Sequence, residues 1–435
     1  MNGWVEAADE WFVLMDAAVG SDRELNRVLE ERAIVSQYQP IVELASGRVA
    51  AYEALARGPQ GSILEFPDRL FGAAREQGRL QELDSVCRAA ALGGFAGSAV
   101  AGRAALFVNT EPDASAEGMV ETYAALAAVG RAQSTVFEFT ERALADRPAE
   151  VLAAARELRR LGAGIAFDDV GVDPRSLALL PFVQPDIVKL DMSIVQGART
   201  THAARVMHAV GAYAERTGAS VVAEGIETPE HLEVARSLGA THGQGWLFGR
   251  PGALPTHLDA AAPLASVRRG LETELPDATA FGLAAAAGRP VQRGDKGLIL
   301  SLSRQLELQA ASLGPECVIL GNLQHERHLT SGTAARYSRL ASEAAFAGLI
   351  GAGVGSEPAP GVRGGSYPVD SVLAKEWSVV VISPHFAAAM VAIDLGDTGT
   401  DMLRRFDFCL TYDRSLVAAA ARSLMVQIIP SSDRD

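Results

Sequence analysis

Acidic and amide side chains recur at the ends of β-type runs through the first 260 or so residues of this chain. Glu53 follows Val49-Ala50-Ala51-Tyr52, Asn109 follows Leu106-Phe107-Val108, and Glu138 follows Thr135-Val136-Phe137. Asp168 and Asp169 follow Gly164-Ile165-Ala166-Phe167, and Lys189 and Asp191 sit at the end of Asp186-Ile187-Val188-Lys189-Leu190-Asp191. Glu224 follows Ser220-Val221-Val222-Ala223, and Gln244 follows Thr241-His242-Gly243. Carboxylates brought together repel one another and resist ionisation unless cations lie between them, which is the arrangement hard divalent metals require. Two such ions roughly 3.5 to 4 Å apart can generate a nucleophilic water and clamp the attacking and leaving oxygens of phosphoryl transfer. A lysine in such a cluster can orient or deprotonate that water. Solvated loop acids are the plainer alternative, but isolated surface acids do not track strand ends so consistently, and hydrolysis of a phosphodiester is the expected chemistry.

The elements that must gather these groups follow from the periodicity. Short β-type runs alternate with Ala/Leu/Arg/Glu-rich helical stretches from Ile34 to Pro251, the pattern of repeated βα units around a parallel sheet. The expected strands are Ile34 to Leu44, Arg48 to Tyr52, Ala105 to Val108, Thr135 to Phe137, Gly164 to Phe167, Asp186 to Leu190, Ser220 to Ala223 and Thr241 to Gly243. In a β/α barrel the C-terminal strand ends converge on one mouth, so residues distant in sequence become neighbours. Residues 1–32 carry apolar residues at helical spacing (Trp4, Ala7, Trp11, Leu14, Met15, then Leu25, Val28, Leu29), which predicts lead-in helices. The barrel is expected over 33–255 and a proline-containing linker with a short helix over 256–294. A smaller α/β domain is expected over 295–432. In that domain a helical stretch begins at Gly297, and Cys317 to Leu320 reads as a strand and Thr333 to Phe346 as a helix. A Gly/Pro-rich excursion runs from Gly351 to Tyr367. Strands are expected over Trp377 to Ser383, Ala387 to Leu395 and Phe406 to Tyr412, with a final helix from Asp413.

At 435 residues the chain exceeds one ordinary core, and its 48% hydrophobic and 21% charged composition is that of a folded protein. A formal net charge of -14 argues against broad binding to duplex nucleic acid. An anionic small substrate then needs metal ions and a few local cations to reverse the field. Cys87, Cys317 and Cys409 are odd in number and widely spaced, so they are expected to be buried small apolar residues and not a disulfide or zinc set. The N-terminal stretch lacks a basic segment leading into an apolar core, and no run reaches the length of a membrane span, so a cytoplasmic protein is expected.

Against these residues the chain resembles the EAL family of cyclic di-GMP phosphodiesterases over about residues 22 to 255. The matching words are Tyr38-Gln39-Pro40-Ile41, Glu53-Ala54-Leu55 with Arg57, Phe107-Val108-Asn109, Phe137-Glu138-Phe139-Thr140-Glu141 and Asp168-Asp169. Val188-Lys189-Leu190-Asp191, Ala223-Glu224-Gly225-Ile226-Glu227-Thr228 and Gly243-Gln244-Gly245-Trp246-Leu247-Phe248-Gly249-Arg250-Pro251 complete the set. The resemblance implies a TIM-type (β/α)8 barrel with one strand reversed, followed by a smaller α/β sensory domain. It also implies hydrolysis of cyclic di-GMP to linear pGpG with two Mg2+ or Mn2+ ions, and a homodimer formed through the barrel. By matched position it makes Glu53, Asn109, Glu138 and Asp168 ligands of one ion and Asp168 with Asp169 ligands of the second. Lys189 is then the residue that activates the water, with Glu224, Asp169 and Gln244 completing the catalytic surround. Gln39, Leu55, Arg57 and Pro251 are implied substrate contacts, and Glu141 is implied to anchor the loop after the double aspartate.

That loop departs from the family pattern of Asp-Asp-Phe-Gly-Thr-Gly followed by an aromatic and two serines. This chain has Asp168-Asp169-Val170-Gly171-Val172-Asp173-Pro174-Arg175-Ser176-Leu177. Losing the second glycine and gaining Pro174 changes the backbone angles available to it. A receptor that holds cyclic di-GMP without turnover, reporting through the second module, is therefore the alternative expectation. Residues near 295 to 430 resemble the DICT sensory module through Gly314-Pro315-Glu316-Cys317-Val318-Ile319-Leu320, Gln324-His325-Glu326-Arg327-His328, Ser383-Pro384-His385-Phe386 and Arg404-Arg405-Phe406-Asp407-Phe408. This implies a signalling partner or small ligand at that domain. His325, Glu326 and His328 invite a metal reading, but with no further ligand evident they are expected to form a polar loop or partner surface.

Overall fold

The computed structural model describes residues 22–111, 122, 126, 134–173, 175–197, 200–258, 261–262, 264, 278–398 and 400–429. The expected helical positions Trp4 to Met15, and the loop residue Pro174, lie outside the described residues. Eight strands close a barrel in sequence order. They are β1 (Val35–Glu43), β2 (Val49–Arg57), β3 (Ala105–Asn109), β4 (Thr135–Thr140), β5 (Gly164–Val170), β6 (Ile187–Leu190), β7 (Ser220–Ala223) and β8 (His242–Gln244). β1 runs antiparallel to both β2 and β8, while the β2–β3, β3–β4, β5–β6 and β6–β7 pairs are parallel. The reversed strand is thus the first one. Its cause is local: the backbone N–H of Gly47 bonds the carbonyl of Glu43 at 2.8 Å, with Gly47 in the left-handed region at φ 70. A turn this short can join only antiparallel neighbours.

The chain divides into two compact units, one of residues up to Glu138 with His242–Leu264, the other of Phe139–Thr241 with Ala265–Asp435. In the first unit, a helix over residues 22–30 (α1) buries Leu25, Val28 and Leu29. They meet Leu70, Ala73 and Ala74 of α2 (Pro67–Glu76) and Leu83, Val86 and Cys87 of α3 (Leu80–Ala96). The described part of the lead-in is therefore a packed helix.

In the second unit, β5 to β7 alternate with α4 (Glu141–Asp146), α5 (Pro148–Arg160), α6 (Ser176–Val183), α7 (Met192–Gln196), α8 (Thr201–Thr217) and α9 (Pro229–Ser237). Several start on side-chain caps where a strand has just ended. Thr140 caps α4, Asp191 caps α7 and Thr228 caps α9. The same unit contains α10 (Ala280–Ala286), α11 (Lys296–Leu313), α12 (Ser331–Glu343) and α13 (Arg414–Met425) around a seven-stranded sheet. That sheet comprises β9 (Gln292–Asp295), β10 (Val318–His325), β11 (Phe346–Ala352), β12 (Arg363–Gly365), β13 (Glu376–Ile382), β14 (Ala387–Asp394) and β15 (Arg405–Thr411), in the order β12-β11-β10-β13-β14-β15-β9. Val379, Val381, Ala388 and Met390 pack with Ile299, Leu306, Tyr337 and Leu340 of α11 and α12. The alternating Val380, Ile382, Ala389 and Val391 are equally buried, and α13 lies against β13 and β14. Burial on both faces explains the unbroken apolar runs of β13 and β14.

Three strands differ from the sequence reading. β9 falls where a linker was expected and pairs antiparallel with β15. β11 begins at Phe346, where a helix was expected to end, because Phe-Ala-Gly-Leu-Ile-Gly-Ala carries little β propensity of its own and owes its state to parallel pairing with β10. β12, inside the Gly/Pro-rich excursion, is only Arg-Gly-Gly, and a Cβ on Gly364 or Gly365 would strike the carbonyl of Gly355 or Gln427. All three cysteines are buried free thiols, as expected. Among the described residues, no helix is long and apolar enough to cross a membrane.

Candidate active site

In the first unit the polar residues at the strand ends form one hydrogen-bonded chain. Glu53 sits in β2 opposite Gln39 of β1 and is 5% exposed. Its Oε1 accepts from Asn109 Nδ2 at 2.9 Å and its Oε2 from Gln244 Nε2 at 2.8 Å. Gln244 Nε2 also reaches Gln39 Oε1 at 3.0 Å, and Gln39 Nε2 donates to the carbonyl of Gly249 at 3.1 Å. Each amide is thereby fixed in orientation by its neighbour, so the Glu53 carboxylate has a single well-defined position. Glu138, also buried, is paired in register with Asn109. Leu55 and Arg57 extend β2 beyond Glu53 and are half-buried. Burial pulls the Arg57 guanidinium below its usual range, partly offset by the Glu65 charge. Pro251 is half-buried beside Arg250, whose guanidinium stacks 4.0 Å from the Trp246 ring.

The second unit carries the charged cluster. Oxygens of Asp168, Asp169 and Glu224 all lie within 4.8 Å of one another, and no other group of three or more such ligands gathers among the described residues. Lys189, 1% exposed, places its Nζ 3.0 Å from Asp168 Oδ1 and 2.7 Å from Glu224 Oε1. Consecutive strand residues normally face opposite ways. Here the β5–β6 register breaks between Phe167 and Val170, and Asp169 adopts φ 56, so both aspartates turn toward Glu224. A bulge of this kind re-aims a side chain, and the left-handed conformation is one aspartate tolerates better than most residues.

The loop that follows is tied down at several points. Ser176 Oγ donates to the carbonyl of Asp173 at 2.8 Å and accepts from Gly171 N at 3.4 Å. Asp173 pairs with Arg175 at 2.5 Å, and His202 Nε2 contacts the Gly171 carbonyl at 2.6 Å. Glu141, the first residue of α4, has its acid pushed up to about 8 by burial, reinforced by the charges of Asp169, Asp168 and Asp173. Its Oε2 is buried with no hydrogen-bond partner.

An all-oxygen, anionic donor set suits hard divalent cations, and the three carboxylates Asp168, Asp169 and Glu224 fit such an ion. Sequence reasoning placed Glu224 in the catalytic surround; the structure puts it level with the aspartates as a potential ligand. His202 escaped the sequence reading altogether, because a lone histidine on an amphipathic helix carries no distinguishing signal. The metal reading of His325, Glu326 and His328 gains no support: His328 Nδ1 is engaged with the Leu323 carbonyl at 2.8 Å.

The EAL domain pattern matches residues 22–251 of this chain. Among curated proteins, the chain is 33% identical over 264 residues to the cyclic di-GMP phosphodiesterase NbdA of Pseudomonas aeruginosa, covering 57% of this chain and 34% of that protein. It is 31% identical over 244 residues to the probable cyclic di-GMP phosphodiesterase PdeB of Escherichia coli, covering 53% of this chain and 45% of that protein. The chain thus spans less than half the length of these relatives. Among solved structures, the Xanthomonas citri FimX EAL domain in complex with c-diGMP superposes with a TM-score of 0.50 at 18% identity, covering 59% of this chain and 99% of that one, a likeness of fold. Since the matched residues make up more than half of the sequence, this chain belongs to the EAL domain family.

Proposed function

We propose that this chain is a metal-dependent phosphodiesterase that opens cyclic di-GMP to linear pGpG, regulated by a DICT-like sensory module in its C-terminal part. The observation that carries the proposal is the buried Lys189 ammonium held between Asp168 and Glu224, beside Asp169. Bound Mg2+ or Mn2+ supplies Lewis-acid polarisation of the phosphate and acidifies a water. In this reading Glu53, Asn109, Glu138 and Asp168 hold one ion and Asp168 with Asp169 the second. Lys189 and Glu224 orient the attacking water, the Lys189 ammonium being held in place by donating to the Asp168 and Glu224 carboxylates. Gln244 fixes Glu53 through its amide. Gln39, Leu55, Arg57 and Pro251 contact the substrate, Arg57 offering a fixed fork to a phosphate oxygen. Glu141 anchors the loop from Val170 to Ser176. The proposal further takes the division at 33–255 and 295–432, a dimer through the barrel and a cytoplasmic location.

Full-length protein incubated with cyclic di-GMP and Mg2+ or Mn2+ is expected to release the linear dinucleotide. Absence of that product under both metals refutes the proposal. The second reading, a receptor that binds cyclic di-GMP without turnover, is favoured by one observation: the loop lacks the family's second glycine and is pinned by the Asp173–Arg175 pair. Binding without product would select it. Turnover abolished by Lys189→Met would exclude it.

A further inference from the structure

The loop Val170 to Ser176 is bordered by three elements of the second unit, and each is gripped by the sheet module. α4 begins at Glu141, whose acid feels Asp168, Asp169 and Asp173. At its other end the carbonyls of Ala145 and Asp146 accept from Arg363 of β12, at 2.5 and 2.8 Å. The same guanidinium donates to the Ile429 carbonyl at 2.9 Å and is half-buried, which pulls it below the usual arginine range. α6 begins at Ser176, whose hydroxyl ties Gly171 and Asp173. Near its C-terminus the Pro181 carbonyl accepts from Arg422 of α13 at 3.1 Å, while Arg159 takes the Val183 and Gln184 carbonyls. Arg422 is buried, 9% exposed, on an otherwise apolar helix face. α8 carries His202 against the Gly171 carbonyl, and three residues on Arg205 pairs at 3.0 Å with Glu316 of the turn before β10.

Two of these grips are arginines on the C-terminal carbonyls of short helices, where cations are favoured by the helix dipole and where unsatisfied acceptors need donors. Buried guanidinium groups are costly unless hydrogen-bonded, and Arg363 donates to three backbone carbonyls and Arg422 to that of Pro181. A six-residue helix and an eight-residue helix are too short to hold their positions alone, so their placement is set by what they pack on.

We propose that Arg363 and Arg422 are positioning residues for the Asp168-Asp169 metal seat, through which the sheet module sets the register of α4 and α6 and hence the shape of the loop between them. This rests on the phosphodiesterase reading only for its effect on turnover; its effect on metal affinity stands independently. A state of the module that releases the two guanidinium groups loosens the seat, and one that retains them keeps it formed.

The test uses the full chain with Arg363→Met, Arg422→Met, the conservative Arg363→Lys and Arg422→Lys, and Arg293→Met as a charge-matched control on the exposed Arg293–Asp407 pair. Mn2+ occupancy is read from the electron paramagnetic resonance signal of the free ion, and loop order from amide hydrogen exchange over 168–183. Both Met variants are expected to raise the Mn2+ concentration at half-occupancy by roughly 3- to 10-fold and to speed exchange in that segment. The Lys variants should recover part of the loss and the control should match wild type. Half-occupancy and exchange unchanged in both Met variants would overturn the proposal, whatever the turnover. Should Arg422→Met fail to fold, Arg363→Met and Arg422→Lys decide the matter by the same two readouts. A wild-type chain that binds Mn2+ but releases no linear product removes the hydrolytic reading and leaves this inference to be judged on affinity and exchange alone.

Discussion

Replacing Lys189 by Met removes one positive charge from between two carboxylates, and the structure lets the cost be worked through. The ammonium is 1% exposed, and the Asp168 and Glu224 side chains are 11% and 20% exposed. Breaking a buried ion pair by deleting one partner costs about 3–5 kcal/mol, because the charge left behind has neither water nor partner. The partial exposure of Glu224 places the expected value toward the lower end. For a unit of this size that corresponds to a fall in midpoint on the order of 10 °C, read by differential scanning fluorimetry in EDTA. Two further measurements distinguish charge from packing. Lowering the pH through the carboxylate range should shrink the difference, since protonated Asp168 and Glu224 no longer need a counter-charge. Adding Mn2+ should raise the midpoint of Lys189→Met by more than that of wild type, as an ion restores the missing positive charge. A variant as stable as wild type in EDTA would refute the view that Lys189 compensates these acids. Equal Mn2+ stabilisation of both proteins would refute the view that the same acids form a metal seat.

Substitutions at three other positions test the geometry. The Glu141 acid lies at about 8 against an ordinary 4.5, so the folded chain holds this proton longer than the unfolded one. Stability in EDTA should therefore decline as pH rises from about 4.5 through about 8, and Glu141→Gln should flatten that decline in urea titrations at successive pH values; an identical slope would count against the assignment. Asp169→Asn keeps a residue that tolerates φ 56 while removing a charge from the cluster, and is expected to be more stable than wild type in EDTA yet less stabilised by Mn2+. Asp169→Ala adds left-handed strain of about 1–2 kcal/mol and should melt below the Asn variant. Gly225 follows Glu224 at φ 66, where a Cβ would collide with Met192. Gly225→Ala should cost about 1–3 kcal/mol and cut turnover by on the order of tenfold or more through a displaced Glu224, with the charge set intact; wild-type turnover in a folded variant would show that Glu224 tolerates displacement.

Much of the barrel was legible because its strands end in chemistry. The eight expected runs coincide with eight strands in order, and Asn109 and Gln244 are the last residues of β3 and β8, whereas β2 continues past Glu53 to Arg57 and β5 past Asp168 to Val170. The antiparallel first pair could have been read from Ala45-Ser46-Gly47 alone, since three residues leave no room for a crossover. What the sequence could not show is the break in period at Asp168-Asp169: neighbouring residues on one strand should diverge, and only the bulge with left-handed Asp169 brings both into one cluster. The amide chain from Asn109 to Gly249 was equally hidden, because its members were chosen one motif at a time and their mutual bonding depends on register across β1, β2, β3 and β8. In the sheet module the misread segments share a cause. β9, β11 and β12 are short or rich in glycine and alanine, so their state is decided by the strands beside them and not by their own preferences.

β9 is the first strand of its sheet to be synthesised and it pairs with the last, Gln292 lying opposite Phe408. Bringing those ends together closes a loop of more than a hundred residues, and a pairing so distant in sequence contributes no stability until the intervening chain is in place. The ribosome must therefore complete the whole module before this edge forms, and until then Gln292 to Asp295 remains an unpaired segment between the barrel and the sheet. Late, distant closure of this kind makes β15 the segment on which β9 depends, since its loss leaves β9 without a strand partner while β14 stays paired with β13.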